Sequence, residues 1–205
     1  MNDELVQWQL MDESSGCVFP WFTHPFLDVL KSWDLRHKSV CEFGGGRSTS
    51  WWAYNSRWVF TVESNPEFYE RICNELTEKG LRNKVNIQLV EINDDPQQPI
   101  EVINDYVLRP WSMRTETGLV TCCPPFFDII VIDGILRFEC IPPSIKNLSK
   151  KGGILIIDNW QQDGFICPAC ADLLAPYKGY VFRQEDHVDH HGNPWQTAYW
   201  EIPAK

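Results

Sequence analysis

The sequence predicts an α/β protein: a doubly wound, mainly parallel seven-stranded sheet with an antiparallel strand pair at its C-terminal end. Three observations lead there. Short apolar runs alternate with amphipathic stretches from Lys38 to Leu174, the rhythm of βαβ units. The runs are nearly continuous in apolar residues, as expected of strands covered by helices on both faces. The last two runs, GYVFRQED and NPWQTAYWEI, flank the polar turn HVDHHG (His187–Gly192) and pair antiparallel around it.

The elements follow in order. FTHPFLDVLKSW (Phe22–Trp33) has apolar residues at helical spacing and forms a leading helix. KSVCEF (Lys38–Phe43) is the first strand, STSWWAYN the next helix, and RWVFTVE (Arg57–Glu63) the second strand. Asn65–Gly80 is a helix, with Pro66 at its start and Gly80 at its close. KVNIQLVEI (Lys84–Ile92) is the third strand. Asn93–Pro125 is less regular and holds one short helix and a long loop. Phe126–Gly134 and Lys151–Asn159 are two further strands, separated by a helix over Ile141–Lys150. Asp163–Leu174 reads as the last helix before the terminal pair. No internal repeat divides the chain. It reads as one domain over 1–205, with an N-terminal extension and leading helix over 1–35 and a loop-rich insertion over 93–125 that suits a substrate region.

Bulk composition narrows the function classes. The chain has 205 residues, enough for one sizeable core. Its formal charge of -10, from 18 basic and 28 acidic residues with no dense Lys/Arg run, argues against a nucleic-acid surface. No stretch approaches the roughly 20 apolar residues that cross a bilayer. The opening MNDELVQWQLMDESSG lacks a signal-peptide core, so a cytoplasmic location is expected and the eight cysteines read as reduced thiols. A homodimer stays open.

Acids end the buried strands: Glu42, Glu63, Asp133 and Asp158. In open α/β sheets that edge is where ligands bind. Gly44, Gly45 and Gly46 permit a tight turn and close backbone approach. Glu63 lies 19 positions after Gly44, the spacing of an acid that takes ribose hydroxyls in a nucleotide-binding βαβ unit. A dinucleotide fingerprint fails, because Thr49 stands where its third glycine belongs. A carboxylate at Glu42, just before the turn, suits a ligand with an ammonium or sulfonium group. S-adenosylmethionine carries both, and a ribose for Glu63.

VCEFGGGRST, VFTVESN, FDIIVIDG and GGILIIDN together resemble the class I S-adenosylmethionine-dependent methyltransferases, a Rossmann-like fold, and most of all the catechol O-methyltransferase-like branch. The likeness spans about Lys38–Asn159 and the terminal strand pair. It includes the E-x-G-x-G of Glu42, Gly44 and Gly46, with Ser48 in place of a glycine often found there. The resemblance implies that Glu42 lies near the methionine end, Glu63 on the ribose, and Glu91 and Ile92 near adenine, with Gly44, Gly45, Gly46, Ser48 and Ser64 also binding the cofactor. It makes Asp133 a cofactor contact. It further implies one Mg²⁺ on Asp133, Asp158 and Asn159, with Asp133 and Asp158 catalytic; such an ion would lower the pKa of a bound hydroxyl. The other reading of these residues is turn and cap chemistry, with Asp133 as general base or cofactor contact. The expected activity is methyl transfer to a hydroxyl of a small molecule or glycan. An NAD-type enzyme on the same fold and a non-catalytic nucleotide- or partner-binding protein are the alternatives.

Other residues stay two-sided. CPAC (Cys167–Cys170) with His187, His190 and His191 is either a zinc site or two thiols and a polar turn. Arg137 either holds an acidic substrate or pairs with a nearby acid. Arg47 either faces solvent or reaches a carboxylate in the pocket. Trp51 and Trp52 read as helix-to-sheet packing. Trp111, Trp160 and Trp195 are the candidate pocket walls.

Overall fold

The structure, a computed structural model, describes residues 11–13, 15–92, 99–115, 118–121, 127–148, 151–161, 168–189 and 191–205. Its main sheet contains β1 (Ser39–Phe43), β2 (Trp58–Glu63), β3 (Val85–Leu89), β4 (Ile129–Ile132), β5 (Gly153–Asp158), β6 (Lys178–Val188) and β7 (Pro194–Ile202). The strand order is β6-β7-β5-β4-β1-β2-β3. β1 to β5 pair in parallel, and β7 is antiparallel to both β5 and β6. The helices are α1 (His24–Leu30), α2 (Arg47–Asn55), α3 (Pro66–Glu78), α4 (Ile100–Leu108), α5 (Arg137–Leu148) and α6 (Pro168–Leu174).

Side chains alternate across a strand, so each strand feeds two cores. Cys41, Phe43, Ile130, Ile132, Leu155 and Ile157 pack with Tyr106 and Val107 of α4, Cys140 and Ile141 of α5, and Leu174 of α6. Val40, Val59, Ile129, Val131 and Ile156 face the other way, against Phe26 and Leu30 of α1, Trp51 and Trp52 of α2, and Ile72 and Leu76 of α3. Each fully buried side chain of this kind contributes roughly 1.5–3 kcal/mol. Both faces are therefore covered, which is why the strand runs show so few polar residues.

Local chemistry sets several ends. Asn65 caps α3, its Oδ1 accepting the N–H groups of Glu67 at 2.8 Å and Phe68 at 3.2 Å. Pro66 occupies the first helical position, where no donor is missed. α5 begins at Arg137, earlier than the expected Ile141, and carries Pro142 and Pro143 inside it. Prolines signal a helix start in sequence, but here buried Cys140, Ile141 and Ile145 hold the helix through them. β3 ends at Leu89, short of the expected Ile92. The short helix expected in 93–125 is α4, and in place of the expected long loop the chain forms a hairpin of Ser112–Thr115 with Gly118–Thr121. β6 runs through His187 to Val188, so the turn is tighter than HVDHHG suggested; Asn193 O accepts the Asp189 N–H. A short ribbon of Met11–Asp12 with Cys17–Val18 is tied to α2, where Trp51 Nε1 donates to Asp12 Oδ2 at 3.0 Å. Among the described residues, no helix is long and apolar enough to cross a membrane.

Candidate active site

The turn after β1 is tied down from below. Register pairs Glu42 with Thr61, on the face that α2 covers. The Glu42 carboxyl is fully buried and accepts from Ser48 Oγ at 2.7 Å, Thr49 Oγ1 at 2.6 Å and Thr61 Oγ1 at 3.2 Å. Thr49 Oγ1 in turn accepts the Gly46 N–H at 3.1 Å. Burial pushes Glu42 up to about 7, against the lowering effect of its hydroxyl donors. The acid before the glycines thus locks the turn to its helix.

The loops after β1 and β4 then press together. Gly44 has a left-handed backbone (φ 84°) and its N–H donates to Val62 O, while the Asp133 N–H donates to Phe43 O, both at 2.9 Å. A Cβ on Gly134 would lie 2.6 Å from the Tyr106 hydroxyl and 2.8 Å from Gly44 Cα. Only glycines fit so close an approach. The chain goes from β1 outward through β2 to β3 and then crosses to β4 on the other side of β1, which opens a crevice at the strand ends.

Two cavities share that crevice. The larger, about 530 Å³, is bounded by Gly44, Gly45, Glu63, Ser64, Asn65, Pro66, Phe68, Ile92, Asp133, Gly134 and Ile135. The Glu63 carboxylate is held by three backbone donors, the N–H groups of Gly45, Ser64 and Asn65, each at 2.7 Å. These use three of the roughly four acceptor positions of a carboxylate. The smaller cavity, about 380 Å³, is bounded by Trp21, Asp133, Asp158, Asn159, Val188, Asp189 and Trp195. Trp21 and Trp195 meet edge-on at 5.4 Å, and His187 packs on Trp195 at 4.8 Å. Asp133 borders both cavities. Burial raises its carboxyl to about 6; Arg137 opposes that rise and Glu63 adds to it.

Solved structures with this architecture cover most of the chain. An O-methyltransferase from Bacillus cereus in complex with SAH has a TM-score of 0.56 at 16% identity, over 97% of this chain and 86% of its own. The O-methyltransferase TomG from Streptomyces achromogenes, involved in tomaymycin synthesis and in complex with SAM, has a TM-score of 0.56 at 18% identity, over 86% and 77%. An rRNA methylase from Streptococcus thermophilus has a TM-score of 0.54 at 12% identity, over 88% and 95%. The fold is that of S-adenosylmethionine-dependent methyltransferases. No family model matches the sequence, and no curated protein matches it.

Within this methyltransferase fold, the expected site residues divide. Gly44, Gly45, Glu63, Ser64, Ile92 and Asp133 border the larger cavity. Glu42 and Ser48 lie beneath the turn, bonded to each other, and Gly46 starts α2 without bordering either cavity. Glu91 and Arg47 are exposed and border neither. Asp158 and Asn159 border the smaller cavity with Trp195. Trp111 is a core residue, packed against Phe43 and Phe127, and Trp160 stacks edge-on against Trp200 at 4.8 Å; neither borders either cavity. Trp51 and Trp52 pack in the core as expected. Cys167 and His190 lie outside the described residues; Cys170 is buried on α6.

The three residues expected to hold Mg²⁺ do not fit that ion. Arg137 lies among them: Nε donates to Gly134 O at 2.8 Å, Nη1 to Asp158 O, and Nη2 to Asn159 Oδ1 at 3.1 Å. Nη2 also stands 3.6 Å from Asp133 Oδ1. Asp158 Oδ1 accepts from Thr197 Oγ1 at 2.6 Å, and burial followed by the neighbouring Asp133 raises its carboxyl well above the usual range. Among the described residues, no group of three or more His, Cys, Asp or Glu is placed to hold a metal.

Sequence reasoning passed over Asn65, Phe68, Gly134 and Ile135 on one side and Trp21 on the other. Phe68 carried a readable signal, an aromatic on the polar face of an amphipathic helix, and it is 46% exposed. Trp21 carried none, since only folding brings it to the edge of β4 and β5.

Proposed function

We propose that the chain transfers a methyl group from S-adenosylmethionine to a hydroxyl of a small molecule or glycan. The observation that carries this reading is Asp133, among the described residues the one side chain shared by the cofactor-sized cavity and the acid- and tryptophan-lined one. When bound, S-adenosylmethionine supplies a methyl group on a positively charged sulfur. Glu63 keeps one acceptor position for a ribose hydroxyl, Gly44 and Gly45 let the ligand approach the backbone, and Ile92 and Phe68 offer apolar surface to a base. Asp133 favours positive charge at the junction and takes the acceptor's proton as the O–C bond forms and the S–C bond breaks. A carboxyl raised to about 6 is still mostly ionised at neutral pH and is basic enough for that step. Holding both reactants in line supplies much of the rate.

The smaller cavity supports a neutral or cationic acceptor. It carries Asp133, Asp158 and Asp189, and among the described residues no lysine or arginine borders it. A phosphate-rich acceptor such as RNA would meet like charge there, consistent with the formal charge of -10.

Calorimetry with S-adenosylmethionine tests the cofactor half. Wild type binds, and Glu63→Ala weakens binding at least tenfold, about 1.4 kcal/mol. Absence of binding by folded wild type overturns the reading, and tight NADH binding in its place favours the nicotinamide alternative.

A further inference from the structure

Two of the three residues expected to hold a metal, Asp133 and Asn159, already face a cation supplied by the chain itself, while the Asp158 carboxyl is met by Thr197. Arg137 opens α5 and reaches back across the ends of β4 and β5. Its guanidinium donates to Gly134 O and Asp158 O on the backbone and to Asn159 Oδ1, with Asp133 Oδ1 at 3.6 Å. A guanidinium is a planar fork of five donors and keeps its charge throughout the working pH range. Mg²⁺ wants octahedral oxygens at about 2.0–2.1 Å, so it cannot take Asn159 Oδ1 while the fork holds that oxygen.

The backbone is bent to make this arrangement. Among the described residues, the non-glycine positions with left-handed φ are Leu136 (52°) and Asn159 (51°), and both flank the guanidinium. Leu136 aims Arg137; Asn159 aims the amide oxygen that Arg137 binds. A leucine in that region costs about 1–2 kcal/mol, and such strain persists where surrounding contacts enforce it.

We propose that Arg137 takes the place of the divalent cation, so that the acceptor side of this site works with a built-in guanidinium and no metal. Arg137 borders neither cavity, so it is a positioning residue that acts through Asp133 and Asn159, which do. The acceptor then needs no second oxygen beside the reacting one to chelate an ion, and a lone hydroxyl suffices. The substrate consequence rests on the methyl-transfer reading above; the cation question does not.

Manganese titration followed by electron paramagnetic resonance separates the two. Wild type takes up no Mn²⁺ at millimolar ion, whereas Arg137→Ala binds one ion per chain and loses it again with Asp133→Asn. A purely structural arginine would not create a metal site on removal. Where circular dichroism shows Arg137→Ala unfolded, Arg137→Met, which keeps the packing of the stem, is read the same way. Stoichiometric Mn²⁺ on wild type that Asp133→Asn abolishes overturns the proposal, and so does a folded variant that binds none. S-adenosylmethionine binding is unchanged by EDTA; loss on chelation also overturns it. Wild type that binds neither ligand sinks the methyltransferase reading and leaves the manganese result standing.

Discussion

The larger cavity takes most of its wall from one short run, Gly44 to Phe68, whereas the smaller takes single residues from places as distant as Trp21, Asp133, Asp158 and Trp195. Their supports differ accordingly. Glu63 is held by three backbone N–H groups, and the glycine turn is anchored by a buried carboxyl and three hydroxyls. The other side depends on an arginine fork and on two tryptophans from opposite ends of the chain. Backbone and buried side-chain bonds tolerate little change, whereas aromatic walls at the rim can vary without disturbing the sheet. Under the proposed function, the difference lets one scaffold keep a fixed cofactor side and a replaceable acceptor side.

The largest effect tests the anchoring of the turn. Glu42 is raised from 4.5 to about 7 on folding. Its contribution is therefore fully present below about pH 4.5 and is lost as pH rises through 7, a fall on the order of 3 kcal/mol. Thermal melts across pH 5 to 8 show the wild type losing stability with rising pH and Glu42→Gln losing less. Equal slopes for the two proteins would show that Glu42 does not titrate as a buried acid.

Next comes the contact between the two loops. Gly134→Ala places a methyl against the Tyr106 hydroxyl and the Gly44 backbone. Overpacking of this kind costs about 1–3 kcal/mol. The melting temperature falls at roughly 2–4 °C per kcal/mol for a chain of this size, and S-adenosylmethionine affinity falls with it. An unchanged affinity would mean that the cofactor side is less rigid than the contrast requires.

The smallest effect belongs to the acceptor wall. Trp195→Ala removes edge contacts with Trp21 and His187, about 0.5–1.5 kcal/mol per aromatic pair. Calorimetry finds S-adenosylmethionine binding within about twofold of wild type, a change well under 1 kcal/mol, while methylation of acceptors selects against the variant through KM. A large loss of cofactor affinity would join the two cavities into one site and dissolve the comparison.

Much of the fold was legible because burial on both faces leaves an unbroken apolar run for each parallel strand, and Asn65-Pro66 and Gly80 punctuate α3. The hairpin over Ser112–Thr121 and the early start of α5 were not. A short hairpin has little periodicity of its own, and Pro142 and Pro143 signal a helix start where tertiary packing carries the helix through. In the site, Gly44, Gly45 and Glu63 were readable from spacing. Glu42 was placed at the correct edge, but its side chain faces α2, because strand alternation and the register with Thr61 decide its side. Trp111 read as a loop tryptophan and is core, because Phe43 and Phe127 close around it.

By itself, then, the sequence determined the strand rhythm, the glycine turn, and the row of acids at the strand ends, since each is written in residues close along the chain. Tertiary structure alone decided which acids meet the cavities, which tryptophans line them, and that Arg137 reaches Asp133 and Asn159. Those outcomes depend on strand order, register and the reach of one side chain from α5 across two strand ends, and these exist only once the sheet has formed.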